Sequence, residues 1–352
     1  MPSPIELYPV VVVWLQALGL TTHPTALVAL AQLVTALLAH QSLRPSALMR
    51  ALLSPIDVPA AQRYRRVRRS WDRPWLTSTW LTPSLVRAAL ALVAPPAGWT
   101  VHLALDSVRC GPWEVFTVGV VWCGRVLPVG WGVLPYPWPK KRFTPTVCAV
   151  VRQVASAWPS DVPAHLVADR AFPGRLFFET LRTVGWDWTV RLQARSSVTV
   201  GGQRQWARAL LTGAREGVWT LVAGTYGSGP QAVPGRLVVG RGLVVLPAHQ
   251  RTEGSLRHRA RQFARRQQHL ASKHRRQAPD ASQETDRWVI LFTSHTTAPA
   301  ASGSYRLRWG TEGTYRDAQG GWDGQHGWDL EPVLTRARDA MHVERLVGLW
   351  AP

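Results

Sequence analysis

Two apolar runs, VHLAL (101–105) and HLVA (165–168), each break off at an aspartate, Asp106 and Asp169. In the first, Val101, Leu103 and Leu105 alternate with other residues, the period of two of a strand, and the second is a short apolar strand. Between them, EVFTVGVVW and RVLPVGWGVL flank the turn Cys123-Gly124 as a hairpin, and residues 144–158 (TPTVCAVVRQVASAW) carry helical spacing. Beyond Asp169, residues 172–185 (FPGRLFFETLRTVG) read as a helix stopped by Gly185, and residues 186–193 (WDWTVRLQ) return to a strand. Strand, strand, strand, helix, strand, helix, strand is an α/β order. If the first and fourth strands lie parallel and adjacent, Asp106 and Asp169 meet at one edge of the sheet, and their mutual repulsion calls for a cation. Hard oxygen ligands suit Mg²⁺ or Mn²⁺, and a third carboxylate would complete a site for two ions acting on a phosphodiester. The candidate is Glu312, set in SYRLRWGTEGTYRDAQ (304–319) among Arg, Tyr and Trp.

Charge points the same way. The 352 residues hold 41 Lys plus Arg against 21 Asp plus Glu, a net charge of +20 that favours a polyanionic partner. An Arg-rich composition unrelated to function is the plain alternative. With 46% apolar residues there is enough core for more than one domain. Residues 1–95 read as a helical, DNA-binding domain, and within them RYRRVRRSWDR (63–73) interleaves six Arg with Tyr64 and Trp71, either a solvated helix face or a phosphate-gripping segment. Residues 96–195 read as the first part of an α/β domain carrying Asp106 and Asp169, 196–285 as a β-rich and basic insertion, and 286–352 as the last part of that domain, with Glu312. The basic stretch 251–277 has nine Arg or Lys against one Glu, with Arg257, Arg259, Arg261, Arg265 and Arg266 as candidate phosphate contacts. Trp206 and Trp219 in the insertion either pack or hold an unstacked base, packing being the default. Cys110, Cys123 and Cys148 form no metal signature and leave one unpaired, which suggests a reducing compartment. No secretory leader opens the chain, and the uncharged stretch 7–43 is split near His23-Pro24 into pieces too short to span a bilayer. A cytoplasmic, nucleoid-associated protein is expected, with no membrane partner.

Each carboxylate has an ordinary reading too. Asp106 could start a turn, Asp169 could cap the helix beginning near Phe172, and Glu312 could pair with Arg308 at helical spacing. Taken together and in order, however, LALDSV, VADRAF and the spacing Tyr305, Arg308, Glu312 resemble the insertion-sequence DDE transposases of the IS-four type. That signature runs Tyr, two residues, Arg, three residues, Glu, six residues, Lys. The last position here is Gln319, one cationic contact fewer.

The resemblance implies a ribonuclease H-like mixed sheet flanked by helices, with the β-rich insertion and the N-terminal helical domain attached. It implies Asp106, Asp169 and Glu312 as catalytic residues and ligands of two Mg²⁺ (or Mn²⁺) ions. Tyr305, Arg308, Gln319 and Arg170 would be DNA contacts. The implied activity is cut-and-paste: a water nicks double-stranded DNA at a terminal inverted repeat, the freed 3′ hydroxyl makes a hairpin, the hairpin reopens, and the hydroxyl attacks target DNA. A homodimer on DNA is implied as well. A related nuclease without strand transfer is the second reading. A third is a non-catalytic or truncated DNA-binding descendant, which Gln319 and the ending at Trp350-Ala351-Pro352 favour.

Overall fold

The computed structural model describes residues 3–19, 24–52, 58–71, 76–212, 214, 218–241, 288–311, 314, 334, 337 and 339–350. Three strands follow from hairpin chemistry: β1 (Val101–Cys110), β2 (Trp113–Trp122) and β3 (Arg125–Pro135) form an antiparallel meander. At its second turn, Cys123 and Gly124 have φ of 46° and 74°, the pair of left-handed residues that a two-residue hairpin needs to match strand twist. β1 was expected to end at Asp106. It continues to Cys110, because the ladder to β2 runs on past Asp106, pairing Ser107 with Phe116 and Cys110 with Trp113.

Helix α6 (Phe143–Ala157) then returns the chain to β4 (Ala164–Ala168), and α7 (Arg175–Thr183) to β5 (Asp187–Arg191). Both strands are parallel to β1, so the order across this part of the sheet is β3-β2-β1-β4-β5. Parallel strands need such crossovers, and β4 is buried along its whole length, as a central strand should be. α6 lies close to β3 because Gly130 and Gly132 carry no side chain. A Cβ on Gly130 would fall 2.4 Å from Val154 Cγ2, and one on Gly132 2.7 Å from Val150 Cγ2.

The chain divides into two compact units, residues 1–190 with 303–352 and residues 191–302. The first unit also holds the N-terminal helices α1 (Pro4–Ala17), α2 (Pro24–His40), α3 (Pro45–Ala51), α4 (Ala60–Trp71) and α5 (Ser78–Val93). No single helix among the described residues is long and apolar enough to cross a membrane. α2 and α3 reach that length only together, across a 104° bend. The second unit is antiparallel throughout. β6 (Ser197–Val200), β7 (Gln203–Trp206), β8 (Trp219–Tyr226), β9 (Val233–Arg241) and β10 (Trp288–Thr293) are ordered β10-β9-β8-β6-β7. Helix α8 (Ala298–Arg306) leads back into the first unit, which closes with α9 (Ala340–Trp350).

α5, the last helix of the N-terminal segment, is fastened to the sheet by hydrogen bonds centred on Ser78. Its Oγ accepts from the Trp131 amide (2.9 Å) and from Gln153 Nε2 (2.7 Å), while Gln153 also donates to Thr82 Oγ1 (2.7 Å). The N-cap Thr77 makes no side-chain cap. Glu344 of α9 takes that role, accepting from the Ser78 amide at 3.1 Å, and its backbone carbonyl accepts from Trp131 Nε1 at 2.9 Å. Burial raises the Glu344 carboxyl above its ordinary 4.5, against the Ser78 amide and Arg345, which lower it. A raised native value means that the folded state binds the proton more tightly, so this carboxyl's contribution is present below pH 4.5 and fades as pH rises through the native value. Glu344→Gln keeps an acceptor for Ser78 and removes that loss, whereas Glu344→Ala strips the cap and costs about 1 kcal/mol. Urea denaturation of the three proteins at pH 4 and pH 8 checks this. Identical pH dependence in wild type and Glu344→Gln would show that Glu344 carries no such linkage.

Candidate active site

The register of β1 on β4 pairs His102 with His165, Ala104 with Val167 and Leu105 with Ala168. Asp106 and Asp169 follow directly, in step on neighbouring strands that run about 4.8 Å apart. Alternate residues share a face, so His102, Ala104 and Asp106 line up beside His165, Val167 and Asp169. Ala104 and Val167 pack with Val126 in one buried cluster. The histidine rings sit 5.4 Å apart below it, with His165 Nε2 2.9 Å from Thr189 Oγ1 and His102 Nε2 3.0 Å from Ser304 Oγ.

The segment that covers this face is built from residues three apart. After Arg306 a turn at Leu307 and Arg308 interrupts the α-helix, which resumes at Trp309, and the amides of Leu307, Arg308, Gly310 and Thr311 each donate to the carbonyl three residues back. Residues three apart on a helical stretch are neighbours on one face. Tyr305, Arg308, Thr311 and Thr314 form such a row, and each reaches the sheet. Tyr305 Oη donates to Asp169 Oδ1 (3.1 Å), Arg308 Nη1 to Asp106 Oδ2 (3.0 Å) and Thr311 Oγ1 to Asp106 Oδ2 (2.7 Å). Thr314 Oγ1 accepts from the Val126 amide (2.9 Å) and donates to the Val126 carbonyl (3.2 Å), satisfying backbone groups of the edge strand β3. Gly310 lets the row come so near, since a Cβ there would lie 3.2 Å from the Arg125 carbonyl.

Tyr305 and Arg308 are buried, at 2% and 6% exposure. Burial pushes the Asp106 carboxyl above its ordinary value. Arg308, the Thr311 hydroxyl and the Ser107 amide oppose that push, and the charge of Asp169 adds to it. The last of these is the repulsion between paired carboxylates that the sequence implies.

Two ordinary readings fall away. Asp106 starts no turn, because β1 runs through it, and α7 takes Gly174 as its N-cap without a side-chain bond, so Asp169 does not cap it. Arg308 meets Asp106. Arg170 is exposed next to Asp169. Glu312, Gln319, Arg257, Arg259, Arg261, Arg265 and Arg266 lie outside the described residues. In the second unit Trp206 is 49% exposed, while the Trp219 ring lies over Gly240. None of Cys110, Cys123 and Cys148 forms a disulfide.

Sequence reasoning missed Thr311 and Thr314, whose signal is their place at the same three-residue interval after Tyr305 and Arg308. It also missed Ser304 and His102, which carry no local motif. Among the described residues no three His, Cys, Asp or Glu form a metal-holding group. The donors converging here are nonetheless all oxygen, two carboxylates and two hydroxyls, which suits a hard divalent cation better than a soft one. No protein-family model and no curated protein matches the sequence.

Arg308→Ala leaves the Asp106 carboxylate buried without its cationic partner, and we expect a loss of about 3 kcal/mol in stability. Adding Asp106→Asn should return part of that loss, because a neutral amide needs no countercharge. Urea midpoints of the single and double variants measure both effects, and an Arg308→Ala protein as stable as wild type would mean that the pair contributes nothing to the fold.

Proposed function

We propose that the chain is a metal-dependent DNA-cutting and DNA-joining enzyme, a DDE transposase. The observation that carries the proposal is the pair Asp106 and Asp169, each directly after the last registered pair (Leu105 with Ala168) of adjacent parallel strands, with Tyr305 and Arg308 of the Tyr-x₂-Arg-x₃-Glu segment bonded one to each carboxylate. The order β3-β2-β1-β4-β5, with its antiparallel meander and two parallel strands, supports reading the first unit as ribonuclease H-like. The net charge of +20 supports a nucleic-acid substrate.

On this reading Asp106 and Asp169, with Glu312, hold Mg²⁺ or Mn²⁺. Bound there, the ions would supply Lewis-acid stabilisation of the charge that develops on phosphate oxygens during hydrolysis and transesterification. The chain's own residues do the rest. Tyr305 fixes the rotamer of Asp169 through its hydroxyl, and Thr311 and the Ser107 amide fix Asp106. Arg308 balances the buried charge of Asp106 and presents a planar fork of donors whose geometry matches a phosphate. DNA is held by the basic surface, where each phosphate neutralised releases counterions. Terminal inverted repeats and target DNA are the substrates, and a homodimer is the expected acting form.

The full-length protein incubated with its flanking genomic DNA and Mg²⁺ should yield hairpin-ended fragments. Linear cut ends without hairpins would favour a nuclease lacking strand transfer, and tight binding without cutting would favour a non-catalytic DNA-binding protein. Asp169→Asn should abolish cutting while leaving DNA affinity within about twofold, since it touches the cation site and not the basic surface. Cleavage at the wild-type rate by that variant removes Asp169 from the site.

A further inference from the structure

A second surface reaches outward from the carboxylates, and it is made of rings and cations. From Asp169, whose carbonyl accepts from the Phe172 amide at 3.2 Å, a chain of aromatic contacts leads to solvent. Phe172 stacks with Phe143 (centroids 5.9 Å apart), Phe143 meets Trp138 (4.8 Å), and Trp138 meets Tyr136 edge-on (5.3 Å). Phe172 is buried, Phe143 half-buried, and Trp138 40% exposed. Arg109, three residues beyond Asp106 on β1 and so on the opposite face of the sheet, meets the same rings. Its guanidinium sits 3.7 Å from the centre of the Tyr136 ring. Next to Trp138, Lys140, Lys141 and Arg142 are exposed on a turn closed by the Arg142 amide donating to Pro139 O at 3.1 Å. No carboxylate occurs in the sequence between Glu114 and Asp161, so nothing along this stretch offsets those cations.

We infer that residues 136–142 are a binding platform for an unpaired DNA strand, with a base stacked on Trp138 and the neighbouring phosphates on Lys140, Lys141 and Arg142. The chemistry of the surface selects this occupant. An exposed indole backed by packed rings loses little freedom when a base stacks on it, and every base offers a π-face. Three adjacent cations track a backbone. A regular duplex hides its base faces, so the indole finds a stacking partner only where the strand is open. The inference rests on the reading of Asp106 and Asp169 as a DNA-cutting site.

The test uses the full-length protein with metal chelated, so that only binding is measured. The probes are a single-stranded DNA of about 16 nucleotides and mixed sequence, and the corresponding duplex. Trp138→Leu keeps apolar packing on Phe143 but removes the indole face. It should weaken single-strand binding about tenfold to a hundredfold and change duplex binding less than twofold. Trp138→Phe should retain most of the affinity, which guards against a loss caused by misfolding. Lys140→Gln with Lys141→Gln should flatten the salt dependence of single-strand binding by about 0.7 in log–log slope for each phosphate no longer neutralised. A 2-aminopurine in the single strand should be quenched by wild type and not by Trp138→Leu. Unchanged single-strand affinity in Trp138→Leu, or equal losses on both probes, overturns the platform and leaves the cutting reading standing. Absence of any cleavage by the wild-type protein with Mg²⁺ sinks the cutting reading and leaves the stacking result untouched.

Discussion

The first unit is organised around the cost of keeping the Asp106 carboxylate largely out of water beside a second carboxylate. Two unit charges at the spacing of neighbouring strands repel by about 3 kcal/mol at an effective dielectric near 20, and desolvation adds to that. Arg308 and Thr311 are the answer in the fold, and both come from a segment some 200 residues away in sequence. A buried ion pair of this kind is weak evidence for stability in itself, because two well-packed apolar residues could serve the fold as well. On the proposed reading, the carboxylates at this end of the strands serve chemistry and not stability.

What lets one short segment serve both carboxylates is the spacing of its side chains. Residues three apart on a helical stretch are neighbours on one face, and a turn at Leu307 and Arg308 joins the helix that carries Tyr305 to the one that carries Thr311. The contacts run from Tyr305 at the end of β4, through Arg308 and Thr311 at β1, to Thr314 at β3. Gly310 is part of the same device, since the Arg125 backbone leaves little room for a side chain.

This explains which features can be read from the sequence. The strand order around Asp106 and Asp169 is legible because alternation, a Cys-Gly turn and two helical stretches each announce themselves within a dozen residues. The extension of β1 beyond Asp106 is not. In Ser107-Val108-Arg109 the apolar alternation fades, and only the partner strand holds the ladder there. Thr311 and Thr314 escape notice because a hydroxyl at helical spacing carries no signal of its own until the groups it meets on the sheet are known. The tie between Glu344 and the N-terminus of α5 is illegible for another reason: it joins residues 266 positions apart, and neither carries a local signal. The aromatic ladder from Phe172 to Tyr136 escapes likewise, since ring contacts across two loops leave no periodicity.

Charge is distributed over the molecule in a way that bears on the proposed chemistry. At +20 the chain attracts a polyanion over a Debye length of about 10 Å. Yet among the described residues Asp106 and Asp169 share the Arg308 guanidinium as the cation bonded to them. On the proposed reading, a phosphodiester approaching these carboxylates needs positive charge there as well. An oxygen-only donor set that already bears its own repulsion is suited to take up that charge, because each cation admitted relieves the carboxylates and reverses the local field at once. On the proposed reading, therefore, binding of DNA and binding of the cation reinforce each other at this site. The exposed basic surface does not depend on either.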